Sequence, residues 1–171
     1  VDAVEPGDKM DKVEIIRVGD EAEKWNAVEA FRTFEGSRTK RLADEKAKVD
    51  AELDKIAAGF QKTDSGLRYQ YIQKGSGKQA TKGSKVAVHY KGQLPDGQVF
   101  DESYKRKQPL EFTVGIGQVI EGWDEGIMLL NVGDKARFVI PSHLGYGSRG
   151  AGGVIPPNAT LIFDVELVDV K

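Results

Sequence analysis

Three textures of apolar and polar residues follow one another along the chain. Residues 1–19 open with a turn signal, Pro6-Gly7-Asp8, and end in a strand-like run in which Val13, Ile15 and Arg17 alternate with Glu14, Ile16 and Val18. In residues 20–59 the apolar positions recur at helical spacing: Trp25, Val28 and Phe31, then Leu42, Val49, Leu53, Ile56 and, just beyond, Phe60. Ala, Glu, Lys, Arg and Leu dominate between them, and all are strong helix formers. Asp20 before Glu21, Ala22 and Glu23 reads as an N-cap with a Glu three residues on. Gly36-Ser37 separates the two apolar sets, so the pattern predicts two helices or one interrupted helix, ending near Gly59. The narrow apolar stripe has three resting places open to it: the following domain, a preceding one, or another copy of the chain.

From Phe60 the period shortens and turn residues multiply. Leu67–Gln73 reads as a first strand. In Lys85–Leu94, Val86, Val88 and Tyr90 alternate with Ala87, His89 and Lys91, as in a strand with one buried face. Pro95-Asp96-Gly97 supplies a hairpin turn and Gln98–Asp101 the returning strand. Leu110–Val114 is another short strand. Over Val119–Leu130 the period changes to helical, with Trp123, Ile127 and Leu130 on one face and Asn131-Val132-Gly133 as the stop. Asp134–Pro141 returns to strand, Ser142–Asn158 is a Gly- and Pro-rich loop, and Thr160–Val170 is a strand with Leu161, Phe163, Val165 and Leu167 on one face. One short helix among antiparallel strands predicts an α+β domain, a twisted sheet closed over that helix. The expected organisation is a remnant of an earlier domain over 1–19, a helical linker or interaction segment over 20–59, and a main domain over 60–171.

Composition narrows the chemistry. The 171 residues suffice for one well-cored domain with an appendage. A formal net charge of −2, with acids and bases interspersed, speaks against binding to nucleic acid or to an anionic membrane. No apolar run approaches the length that spans a bilayer. The chain has no cysteine, which excludes disulfides, thiol catalysis and thiolate metal sites. Its two histidines, His89 and His143, show no metal-ligand spacing, and His89 reads as a structural residue on the strand face opposite Tyr90. No nucleophile elbow occurs, and Gly75-Ser76-Gly77-Lys78 lacks the offsets of a phosphate loop. Catalysis without a nucleophile, metal or cofactor is what remains.

The remaining candidates are aromatic and aliphatic residues beside turns: V-A-V-H-Y-K-G (86–92), D-G-Q-V-F-D-E-S (96–103), G-Q-V-I-E-G-W-D-E-G-I (117–127), N-V-G-D-K-A-R-F-V-I-P (131–141), L-G-Y-G (144–147) and V-I-P-P-N-A-T-L-I-F-D-V-E-L (154–167). Taken singly, Tyr90, Phe100 and Phe163 suit a core as well as a pocket wall, and Trp123 suits a core better. In this order and spacing, over about residues 66–171, the segments closely resemble the FK506-binding-protein family of peptidyl-prolyl cis-trans isomerases. The family fold, a strongly twisted antiparallel sheet wrapped around a short helix, matches the pattern above. A weaker resemblance links V-E-P-G-D-K-M-x-x-V-E-I-I-R-V-G in residues 1–19 to the end of a cyclophilin-type isomerase domain.

The resemblance implies an enzyme that accelerates rotation about Xaa-Pro bonds in folding polypeptides, with no cofactor. It implies Tyr90, Phe100, Asp101, Trp123, Tyr146 and Phe163 as catalytic residues, and Arg106, Leu110, Phe112, Gln118, Val119, Ile120 and Ile155 as substrate-binding ones. Trp123 would floor the site, aromatic rings would wall it, and Asp101 with Arg106 would orient Tyr90. Leu110 stands where the family often has Phe, Gln118 where it has Glu and Ala151 where it has His, which puts macrolide affinity and peptide preference in question. The implied partners are proline-containing polypeptides and FK506- or rapamycin-like macrolides, with self-association through residues 20–59. The competing reading is a chaperone module in which that helical segment holds clients. The expected compartment is the cytoplasm, with the periplasm as the alternative because the chain opens on Val1 rather than Met.

Overall fold

The structure, a computed structural model, describes residues 26–171. The remnant expected over 1–19 and the cap expected at Asp20 lie outside the described residues. The described residues divide into two units, the first ending at Glu45 and the second spanning Lys46–Lys171.

Helix α1 runs unbroken over Ala27–Ile56. The break expected at Gly36-Ser37 is absent. A helical Gly costs about 1 kcal/mol against Ala, too little to stop a helix with strong formers on both sides. The Ser37 hydroxyl donates back to the Phe34 carbonyl (2.8 Å), so it competes with no backbone bond elsewhere. Asn26 caps the helix, its Oδ1 accepting from the N–H groups of Val28 (3.1 Å) and Glu29 (3.3 Å). In the first unit, Val28, Phe31, Phe34 and Leu42 are exposed.

The second unit begins inside α1 rather than at Phe60, because the last turns of the helix are built into the domain. Leu53 and Ala57 are buried in a cluster with Val139 and Ile162, which Phe60 borders. Arg68, 1% exposed, satisfies its guanidinium on the Asp54 carboxylate (2.6 Å), the Gly66 carbonyl (2.9 Å), and both the carbonyl (3.1 Å) and the carboxylate (3.0 Å) of Asp50. A buried charge is tolerated only when paired and hydrogen-bonded in this way. Of the three resting places open to the stripe, the following domain takes its C-terminal end.

The strands are β1 (Gln61–Lys62), β2 (Arg68–Gln73), β3 (Lys85–Gln93), β4 (Val99–Glu102), β5 (Leu110–Thr113), β6 (Lys135–Ile140) and β7 (Leu161–Val170). They form one antiparallel sheet in the order β1-β2-β6-β7-β3-β4, and β5 also pairs with β3. Helix α2 (Glu121–Met128) packs against the sheet, burying Trp123 and Ile127 in one cluster with Phe138, Leu161, Phe163 and Val165. Two glycines let it come so close. A Cβ at Gly126 would lie 2.7 Å from Phe138, and one at Gly122 2.6 Å from Ile140. Along β7 the pleat alternates: Leu161, Phe163, Val165 and Leu167 join this core, while Ile162 faces the Leu53 cluster. The long loop expected over 142–158 contains two short 3-10 turns, Ser142–Leu144 and Gly147–Arg149.

Candidate active site

One end of the core is open. A cup of about 430 Å³, in the size range of small-molecule sites, is bounded by residues from four strands, helix α2 and two connecting segments. Tyr90 comes from β3, Phe100 and Asp101 from β4, Leu110 from β5, Trp123 from α2 and Phe163 from β7. Gln118, Val119 and Ile120 come from the turn before α2, and Tyr146 and Ile155 from the loop before β7.

Trp123, 3% exposed, lies among the other rings. It meets Tyr90 edge-on (centroids 4.9 Å apart, planes at 84°) and Phe163 likewise (5.2 Å, 80°). Phe100 meets Phe163 edge-on in turn (5.5 Å, 84°). Perpendicular pairs place positive ring edges on negative faces, so the set is mutually supporting. The indole Nε1–H is buried and has no hydrogen-bond partner among the described residues.

Two expected site residues stand behind the wall instead of in it. Phe112, 6% exposed, packs against Trp123 (5.8 Å) without lining the cup, while Leu110, two residues earlier on the same face of β5, stays at the rim. Arg106 does not line the cup. Its Nη1 donates to the Asp101 carboxylate (2.6 Å) and its Nη2 to the Tyr90 phenol oxygen (2.8 Å), and the phenol donates to Asp101. The three close a ring of hydrogen bonds at the cup's edge. Burial alone would raise the Asp101 pKa, but the bonds from Tyr90 and Arg106 outweigh it and hold the carboxyl below its ordinary value. Burial, then the neighbouring carboxylate, push the Tyr90 phenol up.

Several residues outside the expected catalytic and binding set hold the site in place. Ser103, fully buried, accepts a hydrogen bond from the Tyr90 N–H (2.8 Å) and pairs with His89 Nδ1 (2.9 Å). His89 itself stacks on Tyr104 (4.8 Å, 13°). Asp124 accepts from the N–H groups of Gly115 (2.8 Å) and Gly117 (2.7 Å), which fixes the turn carrying Val119 and Ile120. Gln118, expected as a substrate-binding residue, lines the cup and also accepts from the Thr113 N–H (2.7 Å). Gly92 lies beneath the walls: a Cβ there would be 2.6 Å from Phe163 and 2.7 Å from Phe100. The rim also takes in Ala151, Gly152 and Val154. The quoted segments contained Ser103, Asp124 and Gly92, but only their distant partners reveal what they do.

Residues 76–168 match the model of the FKBP-type peptidyl-prolyl cis-trans isomerase family. An FK506-binding protein of Neisseria meningitidis is 55% identical over 105 residues, which is 61% of this chain and 96% of that protein. A probable FKBP-type peptidyl-prolyl cis-trans isomerase of Haemophilus influenzae is 46% identical over 153 residues, covering 82% of this chain and 63% of its own length. The crystal structure of FkpA from Escherichia coli aligns with a TM-score of 0.66 at 38% identity, over 90% of this chain and 74% of that one. An apolar aromatic cup without nucleophile, on this fold and with these relatives, leads to one assignment: the chain belongs to the FKBP-type peptidyl-prolyl cis-trans isomerase family, and the reaction it catalyses is rotation about the peptide bond before proline.

Proposed function

We propose that the cup holds the prolyl ring while the preceding amide passes through its twisted state. The observation that carries this reading is the cup itself, a 430 Å³ opening with Tyr90, Phe100, Trp123 and Phe163 in its lining. The rotational barrier of about 18–20 kcal/mol comes from C–N resonance. In the twisted state that resonance is lost and the carbonyl becomes less polar. Water stabilises the planar amide more than the twisted one, so an apolar site favours the transition state by difference. An uncatalysed relaxation of about 10–100 s, set against a turnover of about 10²–10³ s⁻¹, corresponds to about 5–7 kcal/mol.

In this mechanism Trp123 is the floor under the pyrrolidine ring, and Tyr90, Phe100 and Phe163 are the walls. Phe112 backs the floor. The Ile120 N–H and the Tyr146 hydroxyl take peptide carbonyls. Ile120 precedes the first turn of α2 in extended conformation, and none of the described residues accepts from its N–H. Asp101 and Arg106 hold Tyr90 in its orientation, so the wall next to the indole is fixed before the substrate enters.

The test is isomerisation of a short Xaa-Pro peptide by the wild type and by Phe100→Ala, Asp101→Leu and Trp123→Ala. Each loses kcat/KM by about tenfold or more, while Tyr146→Phe loses less, because only one hydrogen bond goes. Full activity in well-folded Trp123→Ala and Phe100→Ala proteins refutes the assignment.

The clients are proline-containing polypeptides in the course of folding. FK506-like macrolides occupy the same cup, with an affinity set by Leu110, Gln118 and Ala151 at its rim. Residues 20–59 serve self-association, in keeping with the exposure of Val28, Phe31, Phe34 and Leu42. Sedimentation of residues 1–171 against 46–171, which keeps the turns of α1 that hold Leu53 and Arg68 in the domain, tests this: a mass that rises with concentration only in the longer chain is expected. Among the described residues no helix is long and apolar enough to cross a membrane.

A further inference from the structure

A second concavity of about 400 Å³ lies in the same compact unit. The last turns of α1 give it Val49 and Ile56. The hairpin between β3 and β4 gives Leu94. The loop entering β7 gives Pro156 and Ala159. Val49 and Ile56 are 48% and 42% exposed, unusual for β-branched residues whose neighbour Leu53 is fully buried. The polar groups lining the groove include two carboxylates, Glu52 and Asp96, and no lysine or arginine among the described residues.

Its position relative to the cup is what identifies an occupant. Ile155 lines the cup and Pro156, the next residue, lines the groove. The segment Ala151–Ile155, four of whose residues line the cup, therefore runs directly into the wall of the groove. Ala151 and Ile155 exchange backbone hydrogen bonds (2.9 Å each), which fixes this stretch of the shared wall. A polypeptide with its proline in the cup reaches the groove by crossing this segment. An extended chain covers about 3.3–3.6 Å per residue, so a few residues suffice to cross it.

We propose that the groove is a second binding site for the same client chain, taking an apolar segment flanked by lysine or arginine a few residues away from the proline. This rests on the reading of the cup as the prolyl site. Apolar side chains of the client bury against Val49, Ile56 and Pro156, and the two carboxylates select basic flanks. Because the sites are joined through one chain, occupancy of the cup raises the effective concentration at the groove and lowers KM for long clients without altering chemistry at the proline.

The test compares two substrates on the full chain: a tetrapeptide Ala-Leu-Pro-Phe, and the same core carrying, through a Gly-Ser spacer, an arm of Leu, Val and Lys on one side or the other. In the wild type the arm on one of the two sides lowers KM by about tenfold with kcat unchanged. The surface double variant Val49→Glu, Ile56→Glu removes that gain and leaves tetrapeptide kinetics as they were. Glu52→Lys reduces the gain for the Lys-bearing arm and spares an arm that ends in Glu. Equal KM for all substrates in the wild type overturns the proposal, as does a gain that survives the double variant. A concentration-dependent mass that the double variant abolishes, with no arm effect, assigns the groove to a second copy of the chain and also overturns it. The tetrapeptide reports on the cup alone. If Trp123→Ala keeps full tetrapeptide activity, the cup reading falls, whereas a missing arm effect with normal loss in Trp123→Ala removes only the groove.

Discussion

Gly92 gives the most direct access to the geometry of the cup. A methyl group added there would stand 2.6 Å from Phe163 Cε1 and 2.7 Å from Phe100 Cε2 and Cζ. Carbon atoms in contact settle at about 3.5–4.0 Å, so each ring must retreat by about 0.8 Å or more. Neither is free to do so at no cost. Phe163 is held edge-on to Trp123 at 5.2 Å, and Phe100 edge-on to Phe163 at 5.5 Å. Overpacking of this size costs about 1–3 kcal/mol, which for a unit of this length lowers the melting temperature by about 4–11 °C. The catalytic cost is larger in proportion, since a displacement near 1 Å in a preorganised site is worth about 10²-fold. Gly92→Ala is therefore expected to remain folded and to lose kcat/KM by about 10–100-fold on a short Xaa-Pro peptide. Gly36→Ala is the control: a Cβ at Gly36 meets nothing within 4 Å, and the change leaves kcat/KM unaltered. Paired kinetics and thermal melts read both quantities. A Gly92→Ala protein with wild-type kcat/KM would show that Phe100 and Phe163 do not bound the reacting amide.

Ser103→Ala removes the acceptor from the buried Tyr90 N–H and the partner from His89, so a loss of about 1–3 kcal/mol in denaturant unfolding is expected together with lower kcat/KM. The Asp101 carboxyl is held below the unfolded value of about 3.9 by Tyr90 and Arg106, against the opposing effect of burial. Its contribution is complete above that pH and is lost as pH falls through the lower folded value, so kcat/KM is flat from about pH 5 to neutrality and falls only in stronger acid. Asp101→Asn is less active at neutral pH and lacks that acid limb. The raised Tyr90 phenol keeps its proton beyond the ordinary tyrosine range, so the alkaline side of the profile stays flat up to about pH 10. Leu53→Ala empties a site 1% exposed and costs about 2–5 kcal/mol in chemical denaturation, with kcat/KM on the short peptide unchanged.

The longer strands were legible because they keep one face on the core, whereas β1, with Gln61 and Lys62 both exposed, gave no such pattern. Val86, Val88 and Tyr90 alternate with Ala87, His89 and Lys91, and the last strand repeats the pattern from Leu161 to Leu167. A period of two is a local signal. The aromatic cup was legible only through the order of six segments, since nothing local distinguishes a core Trp from a Trp at the floor of a cup. Residues that act through partners far along the chain carry no local signal at all. Ser103 is 13 positions from Tyr90, and Asp124 is read as one more acid on a helix until its two amide partners are in view. Gly36-Ser37 misled for the opposite reason: a breaker pair is a strong local signal, yet its cost is small beside thirty residues of helix. The docking of α1 was left open because a 3.6-residue period reveals a stripe and not what covers it. Only the meeting of Leu53 with Val139 and Ile162, sealed by Arg68, decides that.

That docking also explains why Leu53→Ala is expected to separate stability from activity. Ile162 faces Leu53, and Phe163, its neighbour, faces the cup. Adjacent residues on a strand might be thought to move together. Yet Phe163 lies opposite Gly92 on β3 and Phe138 on β6, so the ladder grips it from both sides independently of the helix. A cavity under Ile162 relaxes by motion of side chains toward α1, on the other face of the pleat. The precision of the cup therefore resides in strand pairing and in the close approach at Gly92, and the α1 contact adds stability from behind without setting the position of any reacting group. A Leu53→Ala protein that lost both stability and kcat/KM in proportion would show instead that the outer face of β7 transmits strain to the inner one.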